Sequence, residues 1–380
     1  MKVAIVCDWL TNVGGAEKVL LAIHKLYPKA PIYTSKYSPK GINWFTDADV
    51  RTGWMQVFPV CMRRLLAPLR QRYFAKLDLS EYDLIISVTG AEAKGVKSGR
   101  RLHAEGAKNV KCVSGIHISY CHVPTQYYWQ MYDDYVRNPG FKFLNPVVRF
   151  FFKLLVGPLR KRDFKAAQEP DYYITISEYA KELIKKYYKR DAVVIHPPVE
   201  IDTFCRTSRE IPSQVAYYII TSRQVSWKRI DLAIRACKKL QRRLLVVGEG
   251  PEHDKLVKLA DGSPMIEFLP LQDKKELAEL LAGAKGYIFP SLEPFGIAPV
   301  EALASGCPVI AFGEGGSRDY IVDGENGVLF ERQMLRSLVE AMERFEKMEF
   351  DTKKVAKSAK KFSTERFDKE IRRFVDEKTA

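Results

Sequence analysis

Two glutamates, Glu293 and Glu301, flank a predicted turn in the segment Ser291–Ala302. The apolar run Gly286–Phe289 before it predicts a buried parallel strand, and Val300–Ser305 predicts the first turns of a helix. In doubly wound α/β folds, ligands bind at the carboxyl ends of such strands, and the free N–H groups of the following helix attract phosphate. We therefore expect this turn to bind a polar ligand with an anionic group.

The two carboxylates would contact different parts of such a ligand. Glu301, just inside the helix, can accept two hydrogen bonds from a vicinal diol, as an acid of a dinucleotide fold does on a ribose. Glu293 precedes the turn, and the backbone N–H groups of Phe295, Gly296 and Ile297 lie between the two acids. One turn could therefore hold sugar, phosphate and ribose. The alternative is structural, with Glu293 as an N-terminal helix acid and Glu301 as an exposed helix residue.

Two further strand ends carry groups suited to phosphate. The predicted strand Pro308–Ala311 precedes a glycine-rich turn at residues 313–316, where the backbone can approach an anion closely. Arg223 and Lys228 lie in the loop after the predicted strand Ala216–Thr221, and they can converge there on one diphosphate. Alternatively, both are ordinary surface cations.

Gly14 and Gly15 end the loop after the predicted first strand, Val3–Cys7. The helix predicted next, Ala16–Leu26, has an electropositive N-terminus, and glycine lets the backbone come close to phosphate. The spacing is neither the dinucleotide-binding G-x-G-x-x-G nor a P-loop. By itself, the pair also fits a simple tight turn.

His122 is a candidate because of its place at a predicted strand end. It follows the strand-like run Ile116–Cys121 and precedes Val123-Pro124, which predicts an exit turn into an aromatic helix over Tyr127–Tyr135. A lone histidine at such a point is commonly a polar residue with ordinary protein partners. Its position at the carboxyl edge of a sheet also suits a ligand contact, so both interpretations stay open.

Length and composition limit the class of protein. A chain of 380 residues with 46% apolar and 28% charged residues predicts two globular domains. The seven cysteines include no C-x-x-C pair, which favours a reduced cytosol over a disulfide framework or a zinc site. Met1–Cys7 is too short for the apolar region of a signal peptide, and no later segment is long and apolar enough to span a membrane.

The triplet Asp47-Ala48-Asp49 spells the D-x-D of metal-dependent transferases of another fold. It lies in a polar loop before a short predicted strand, and such a triplet arises often by chance. We expect no metal role for it.

With these motifs, the chain resembles the family-4 retaining glycosyltransferases of the two-domain GT-B fold, which carry two glutamates separated by seven residues. The resemblance covers nearly the whole chain. The runs 295–302 and 120–124 are most similar to bacterial mannosyltransferases that use GDP-mannose. The chain departs from that pattern at Gln126 and Gln130, where Arg and Asp are expected, and at Pro270, which replaces a usual glycine.

The resemblance implies an α/β fold with two Rossmann-like parallel-sheet domains facing across a cleft. The expected domains are an acceptor domain over 1–198, a nucleotide-sugar donor domain over 199–363, and a last helix, 364–380, that crosses back to the first domain. It also implies a role for each candidate. The residues assigned to catalysis are His122, Glu293, Arg223 and Lys228, and those assigned to the donor are Gly14, Gly15, Arg223, Lys228, Leu271, Glu293, Phe295, Gly296, Ile297 and Glu301.

The implied activity is transfer of a hexose from a nucleotide sugar, with retention of configuration and without a metal or other cofactor. The donor expected is GDP-mannose, and the acceptor is a glycan or a polyprenyl-linked sugar of cell-envelope synthesis. UDP-glucose or another nucleotide sugar is the alternative donor. An epimerase or phosphorylase of the same fold and a basic nucleic-acid-binding protein are the rival functions, although no basic motif of the RNA-binding modules or zinc-finger spacing occurs.

Charge is concentrated in the first half of the chain. The formal net charge is +15, and residues 1–170 hold 26 Lys and Arg against 13 Asp and Glu. Nucleic acid, an anionic membrane surface or an anionic substrate would each suit such a face, as would a generally basic soluble surface.

Two stretches in this half mix bulky apolar groups with cations: 61–74, which includes Arg63, and 147–162, which includes Phe150, Phe151 and Phe152. Such surfaces suit the headgroup region of an anionic bilayer. We therefore predict a cytoplasmic protein that binds peripherally to the inner face of the cell membrane. The alternative is that these apolar side chains pack on the sheet and that the charge serves a soluble acidic acceptor.

Overall fold

A computed structural model describes residues 1–60, 62, 66–98, 115–137, 145–205 and 216–380. These residues form two compact units: 1–196 together with 368–380, and 197–367. Arg63, in the predicted apolar and cationic stretch 61–74, lies outside the described residues.

The first unit is built on a parallel sheet of seven strands in the order β3-β2-β1-β4-β5-β6-β7. Both central strands, β1 and β4, are runs of apolar residues buried on both faces, as expected where helices cover a parallel sheet. The strands are β1 Val3–Cys7, β2 Ile32–Thr34, β3 Val50–Thr52, β4 Leu84–Thr89, β5 Ile116–Cys121, β6 Tyr172–Thr175 and β7 Val193–Val194.

The described helices of this unit begin with α1, which starts where the Gly14-Gly15 pair was predicted to open it. They are α1 Gly15–Leu26, α2 Ala67–Phe74, α3 Tyr132–Arg137, α4 Asn145–Ala166 and α5 Glu178–Tyr188, with 3₁₀ turns at Trp54–Val57 and Ala93–Gly95.

The aromatic helix predicted from Tyr127 is wrong in its first residues, because the helix begins only at Tyr132. Residues 126–131 form turns instead. The physical reason is packing: three consecutive aromatic residues, Tyr127, Tyr128 and Trp129, contact the same apolar cluster with Leu159 of α4. Neighbouring helix residues point in different directions, so a helix could not bring all three to one cluster.

The second unit is a parallel sheet of six strands in the order β10-β9-β8-β11-β12-β13. Its strands are β8 Tyr217–Thr221, β9 Arg243–Val247, β10 Ile266–Leu269, β11 Gly286–Phe289, β12 Val309–Phe312 and β13 Gly327–Phe330. The helices are α6 Ile201–Phe204, α7 Ile230–Leu240, α8 His253–Ala260, α9 Lys274–Ala282, α10 Ile297–Ala304, α11 Leu335–Phe345, α12 Thr352–Ser358 and α13 Thr364–Thr379, with 3₁₀ turns at Ser226–Lys228, Gly315–Asp319 and Ala359–Phe362.

The last helix, α13, begins in the second unit, and from Asp368 onward its residues belong to the first. Its aromatic residue Phe374 makes an edge contact with Tyr172 of β6, and Lys378 lies over the same ring.

In both units the strand order reverses beside the first strand, between β1 and β4 and between β8 and β11. Loops at the carboxyl ends of the two flanking strands diverge at such a switch point and leave room for a ligand. Within the first unit, the fold therefore brings together the residues that follow β1, β4 and β5. Within the second unit, it brings together those that follow β8, β11 and β12.

Candidate functional site

Glu293 lies in the loop between β11 and α10, and its carboxylate is partly exposed. Lys228, which ends the 3₁₀ turn after β8, donates to Glu293 Oε1 at 2.5 Å, and Ser291 Oγ donates to the same oxygen at 2.7 Å. About a fifth of each charged side chain is open to solvent, 22% of Lys228 and 19% of Glu293. Within the described parts of the chain, no hydrogen-bond donor reaches Oε2. A ligand hydroxyl can therefore approach the carboxylate without displacing its existing partners.

Glu301 lies inside α10, and only 8% of it is exposed. The alternative of an exposed helix residue is therefore wrong for Glu301. Burial raises the pKa of Tyr287, the last residue but two of β11, hydrogen bonds with Thr221 lower it, and the charges of Glu293 and Glu301 raise it further. Both carboxylates thus lie close enough to the Tyr287 phenol to raise its pKa.

Three glycines fix the turn that separates the two acids. Gly296, with φ +91°, precedes α10, and a Cβ there would lie 2.6 Å from the Phe289 ring. Gly316 follows β12 and donates its N–H to Glu293 O at 2.8 Å, and its Cβ would lie 2.4 Å from Phe295 Cα. A Cβ on Gly315, with φ +81°, would lie 2.4 Å from Glu293 O. The loop after β12 therefore packs backbone against backbone on the loop after β11.

Phe295, Gly296 and Ile297 lie at the start of α10, which begins at Ile297 and not at the predicted Val300. The first N–H groups of a helix have no partner inside the helix and carry its positive dipole end. The Phe295 carbonyl, in contrast, is already used, since it accepts from Tyr320 Oη at 2.8 Å. The buried Tyr320 side chain thus fixes the backbone just before the helix begins.

Arg223 is exposed in the loop after β8 and makes no ion pair with any residue that the structure describes. Its neighbour Gln224 is fully buried, donates through Nε2 to Gly248 O at 2.5 Å, and donates through its backbone N–H to Glu249 O at 2.8 Å. A Cβ on Gly250 would lie 2.4 Å from Gln224 O. The loop is therefore fixed on the loop after β9, while the guanidinium itself stays available.

The predicted donor residues of the second unit differ in what they contact. Lys228 contacts Glu293 directly, whereas Arg223 reaches no acid in the described ranges. Leu271 lies two residues beyond the edge strand β10 and is 81% exposed. A base contact there would be made at the edge of the sheet.

In the first unit, Gly14 precedes α1 in extended backbone and, as a glycine, has no side chain with which to cap the helix. A Cβ on Gly14 would lie 2.8 Å from Glu17 Oε2, so the glycine lets this buried acid approach the helix start. Gly15 is the first residue of α1. The observed strand, glycine turn and helix follow the order predicted from the sequence.

His122 follows β5 directly, and its backbone N–H donates to Thr89 O at 2.8 Å. Its Nε2 atom is buried and has no hydrogen-bond partner among the described residues. Burial lowers the pKa of His122 to about 4, so the imidazole is neutral near pH 7. Because buried polar atoms are nearly always hydrogen-bonded, this orphaned nitrogen is well suited to a ligand hydroxyl.

Asp8 is a functional candidate that the sequence reasoning missed. It is buried directly after β1, and its carboxylate accepts from Thr89 Oγ1 at 2.9 Å and from the backbone N–H groups of Gly90, Ala91 and Ala93 at 2.8 to 3.0 Å. It thereby fixes the loop after β4 on the loop after β1. The available signal was an acid placed immediately after an apolar strand.

No group of three or more His, Cys, Asp or Glu residues in the described ranges could hold a metal ion. Asp49 of the D-x-D triplet is paired with Arg51 at 2.8 Å in the turn before β3. That ion pair gives Asp49 a structural partner on the surface.

Comparison with known proteins adds to this geometry. Residues 201–362 match the family described as Glycosyl transferases group 1. The matched segment lies within the second unit and contains Lys228, Glu293 and all of α10. This part of the chain is thus similar to the glycosyltransferase group 1 family.

Two curated relatives are D-inositol 3-phosphate glycosyltransferases. That of Mycolicibacterium smegmatis is 30% identical over 185 residues, or 43% of this chain and 43% of that protein. That of Mycobacterium bovis is 34% identical over 153 residues, or 36% of this chain and 32% of that protein. The chain therefore spans less than half the length of these relatives.

Solved structures share the fold over nearly the whole chain. Anabaena Alr3699/HepE in complex with UDP gives a TM-score of 0.70 at 20% identity and covers 99% of this chain and 100% of that one. Sucrose-phosphate synthase from Thermosynechococcus elongatus gives 0.70 at 17% identity and covers 99% of both. The likeness shows the fold, and it confirms the prediction of the two Rossmann-like parallel-sheet domains found in GT-B glycosyltransferases.

Proposed function

We propose that this protein is a retaining hexosyltransferase that moves mannose from GDP-mannose to a hydroxyl of a glycan or lipid-linked acceptor in cell-envelope polysaccharide or glycolipid synthesis. The observation that carries the proposal is the arrangement at the β8 and β11 strand ends. There Lys228 contacts Glu293, the buried Glu301 follows in α10, and both acids lie in the segment that matches the glycosyltransferase family.

In this proposal the charge of the departing diphosphate is stabilised by the protein alone. The exposed Arg223 guanidinium, the Lys228 ammonium and the N–H groups at the start of α10 supply fixed positive charge. Such preorganised groups act where the negative charge develops. Neither a metal nor another cofactor is then needed.

The bond between the sugar C1 and the diphosphate oxygen breaks, and its electron pair leaves with the nucleotide. The oxocarbenium-like sugar is attacked on the same face by the acceptor hydroxyl, whose proton passes to the released diphosphate. Glu293 orients the sugar hydroxyls through Oε2, Glu301 accepts from the ribose diol, and neutral His122 contacts the sugar. No side chain is assigned as a covalent nucleophile.

The donor and acceptor each have a stated alternative. UDP-glucose is the second donor, since Gln126, Gln130 and Pro270 differ from the mannosyltransferase pattern. The names of the inositol 3-phosphate glycosyltransferase relatives, together with the basic first half, support a soluble anionic acceptor as the second acceptor class.

The membrane part of the proposal rests on exposed apolar side chains of the first unit. On α4, Phe150 is 65% and Leu154 is 63% exposed, whereas Phe152, which was predicted to share that face, packs against Tyr132. A second exposed group precedes and enters α2, which contacts α4. We define the apolar face by these ten exposed residues: Trp54, Val57, Val60, Met62, Leu69, Val147, Phe150, Phe151, Leu154 and Leu155.

We take the partner of the apolar face to be an anionic bilayer at the inner face of the cell membrane. Bulky apolar groups can enter the headgroup region, and each nearby Lys or Arg contributes roughly 1 kcal/mol of attraction to anionic lipid. No described helix has the length and apolar character of a membrane span. Binding would therefore be peripheral and reversible.

The enzymatic proposal is tested with a panel of nucleotide sugars, by heat stability and by release of the nucleoside diphosphate. A ligand that binds only the folded protein raises the melting temperature. We expect GDP-mannose to stabilise more than UDP-glucose, ADP-glucose or free GMP. A panel in which no nucleotide sugar stabilises the protein would exclude the proposed transferase.

The membrane part is tested by co-sedimentation with vesicles. We expect binding to anionic but not to neutral vesicles, weaker binding at high salt, and weaker binding for Phe151→Ser. Val257→Ser, at an exposed valine of the second unit, is the matched control and should bind like the wild type. Protein that stays in the supernatant with anionic vesicles at low salt would exclude the bilayer and favour the soluble anionic acceptor.

A further inference from the structure

The turn that carries His122 is tied to the interior through Thr125, three residues later. Thr125 is fully buried. Its N–H donates to Tyr188 Oη at 2.9 Å, and its hydroxyl donates to Asp163 Oδ1 at 2.8 Å while it accepts from Lys94 Nζ at 3.0 Å. The backbone N–H and the hydroxyl of this residue are thus both fixed by partners on other elements.

Asp163 lies on α4 and is also fully buried. Its Oδ1 accepts from Lys94 Nζ at 2.7 Å and from Thr125, and its Oδ2 accepts from Trp129 Nε1 at 2.7 Å and from Tyr188 Oη at 2.9 Å. Two of these four donors, Thr125 and Trp129, belong to the segment that follows His122. One helix carboxylate therefore fixes both the start and the end of that turn.

Lys94 extends the same network to the loop after β4. Its ammonium also donates to the Ala91 carbonyl, while the Ala91 N–H donates to Asp8 Oδ2 at 3.0 Å. A Cβ added at Gly90, in this loop, would lie 3.9 Å from His122 Cβ. The loops after β1, β4 and β5 are thus joined to α4 by two buried carboxylates.

Stability alone is a weak reason for such a network. A buried ion pair commonly contributes no more to stability than apolar side chains of the same size, because both charges must be desolvated. The Lys94–Asp163 pair is almost completely buried, with 1% of each side chain exposed. What the pair provides, beyond any net stability, is a fixed geometry at one end of the sheet.

We propose that Asp163 is a positioning residue that, through Thr125 and Trp129, fixes the turn carrying His122, whose Nε2 atom is buried. The inference rests on the proposed function in so far as His122 acts there on the transferred sugar. The positioning itself can be tested without any transfer reaction, since it concerns the environment of one imidazole.

Two variants separate positioning from folding. Thr125→Val removes the hydroxyl that links the turn to Asp163 but leaves the ion pair in place. The double variant Lys94→Met with Asp163→Leu replaces both buried charges by apolar groups and removes the acceptor for Trp129 and Tyr188. Val156→Ala, at a buried residue of the same helix outside the network, is the matched control for loss of stability.

The readout is the titration of His122 by NMR with labelled histidine, assigned with a His122→Gln sample. In the wild type burial lowers the pKa of His122 to about 4, and burial also lowers that of His117, the second residue of β5, to about 4. If water reaches a loosened turn, we expect the pKa of His122 to move toward its ordinary value by a unit or more in the double variant, and by less in Thr125→Val. His117, which bonds Ser87 at 2.8 Å, should not change.

In a transfer assay the same variants should lower kcat between about 10- and 100-fold with little change in the KM for donor, because a small misplacement of a reacting group is costly. Val156→Ala should change neither the two titrations nor kcat. An unchanged pKa of His122 in both network variants, or an equal change at His117 and His122, would overturn the proposal. A wild type without transferase activity but with the His122-specific shift would refute the proposed function and leave the positioning intact.

Discussion

The two units have the same strand order around their first strand, but they fix their carboxyl-end loops by different means. The first unit uses buried charge: Asp8 and Asp163 each accept hydrogen bonds from several loop groups. The second unit uses close backbone contacts, in which Gly250, Gly315 and Gly316 leave no room for a Cβ. Buried carboxylates thus fix several loops of the first unit, whereas close glycine contacts fix the loops of the second unit that carry Arg223 and Glu293.

The difference indicates which charges can act on a ligand. Lys94 and Asp163 cannot act on a ligand, because both oxygens of the Asp163 carboxylate already accept hydrogen bonds and the pair is buried away from water. Lys228, Glu293 and Arg223 sit on loops that glycines already fix, so a ligand can exchange their partners without unfolding the site. The comparison therefore predicts that charge removal harms folding in the first unit and ligand binding in the second.

The largest effect is expected from the second unit's cations. Lys228→Ala or Arg223→Ala should lower turnover by about 10²-fold or more, because each removes charge that stabilises the leaving diphosphate. The melting temperature should change little, since Lys228 is partly exposed and Arg223 fixes no loop. Steady-state kinetics with the preferred donor measures the effect. Near-normal turnover in either variant would remove that residue from the site.

Loop anchoring is tested by matched changes in the two units. Asp8→Asn leaves buried N–H groups without a full acceptor, and Gly316→Ala places a Cβ 2.4 Å from Phe295 Cα; each should lower the free energy of unfolding by roughly 1–3 kcal/mol. Only Gly316→Ala should also weaken nucleotide binding, as titration calorimetry would show. Gly157→Ala, where a Cβ meets nothing within 4 Å, is the control. Equal nucleotide affinity in the Asp8 and Gly316 variants would contradict the comparison.

The sequence predicts the sheets and the acid-bearing turn because both depend on local pattern: apolar runs, glycine positions and residues placed just after strands. It does not predict contacts such as Lys228 with Glu293 or Lys94 with Asp163, which are 65 and 69 positions apart. These depend on which strands are neighbours at the switch point. The start of α3 was also missed, since tertiary packing of Tyr127, Tyr128 and Trp129 overrides local helix preference.

Acid should lower the stability of the first unit because the buried His117 resists protonation in the folded state. Burial lowers the pKa of His117 to about 4, although nearby Asp171 raises it and Arg190 lowers it again. The unfolded chain, with an ordinary histidine pKa near 6.5, binds the proton first, so the unfolding free energy falls as the pH drops from about 6.5 to about 4, by roughly 3 kcal/mol in all. Calorimetric melting over this pH range should show that the stability of His117→Gln falls less steeply with decreasing pH than that of the wild type. A decline identical to that of the wild type would assign the acid sensitivity to other groups.

The smallest effect is expected from chelation. If the cations and helix starts of the second unit suffice for the leaving diphosphate, EDTA should leave the transfer rate unchanged within error. Asp47→Asn, in the surface triplet, should be equally silent. Activity that is abolished by EDTA and restored by Mn²⁺ would contradict the metal-free mechanism.

The central claim is that the turn between β11 and α10 binds a nucleotide sugar with its two glutamates in different roles, and calorimetric titration of GDP and GDP-mannose into three proteins tests it most directly. Wild type should bind both ligands. Glu301→Ala should weaken both, because it removes the acceptors for the ribose, while Glu293→Ala should bind GDP nearly normally but lose the added affinity for the sugar. Equal loss of GDP binding in the two variants, or no binding by the wild type, would contradict the account.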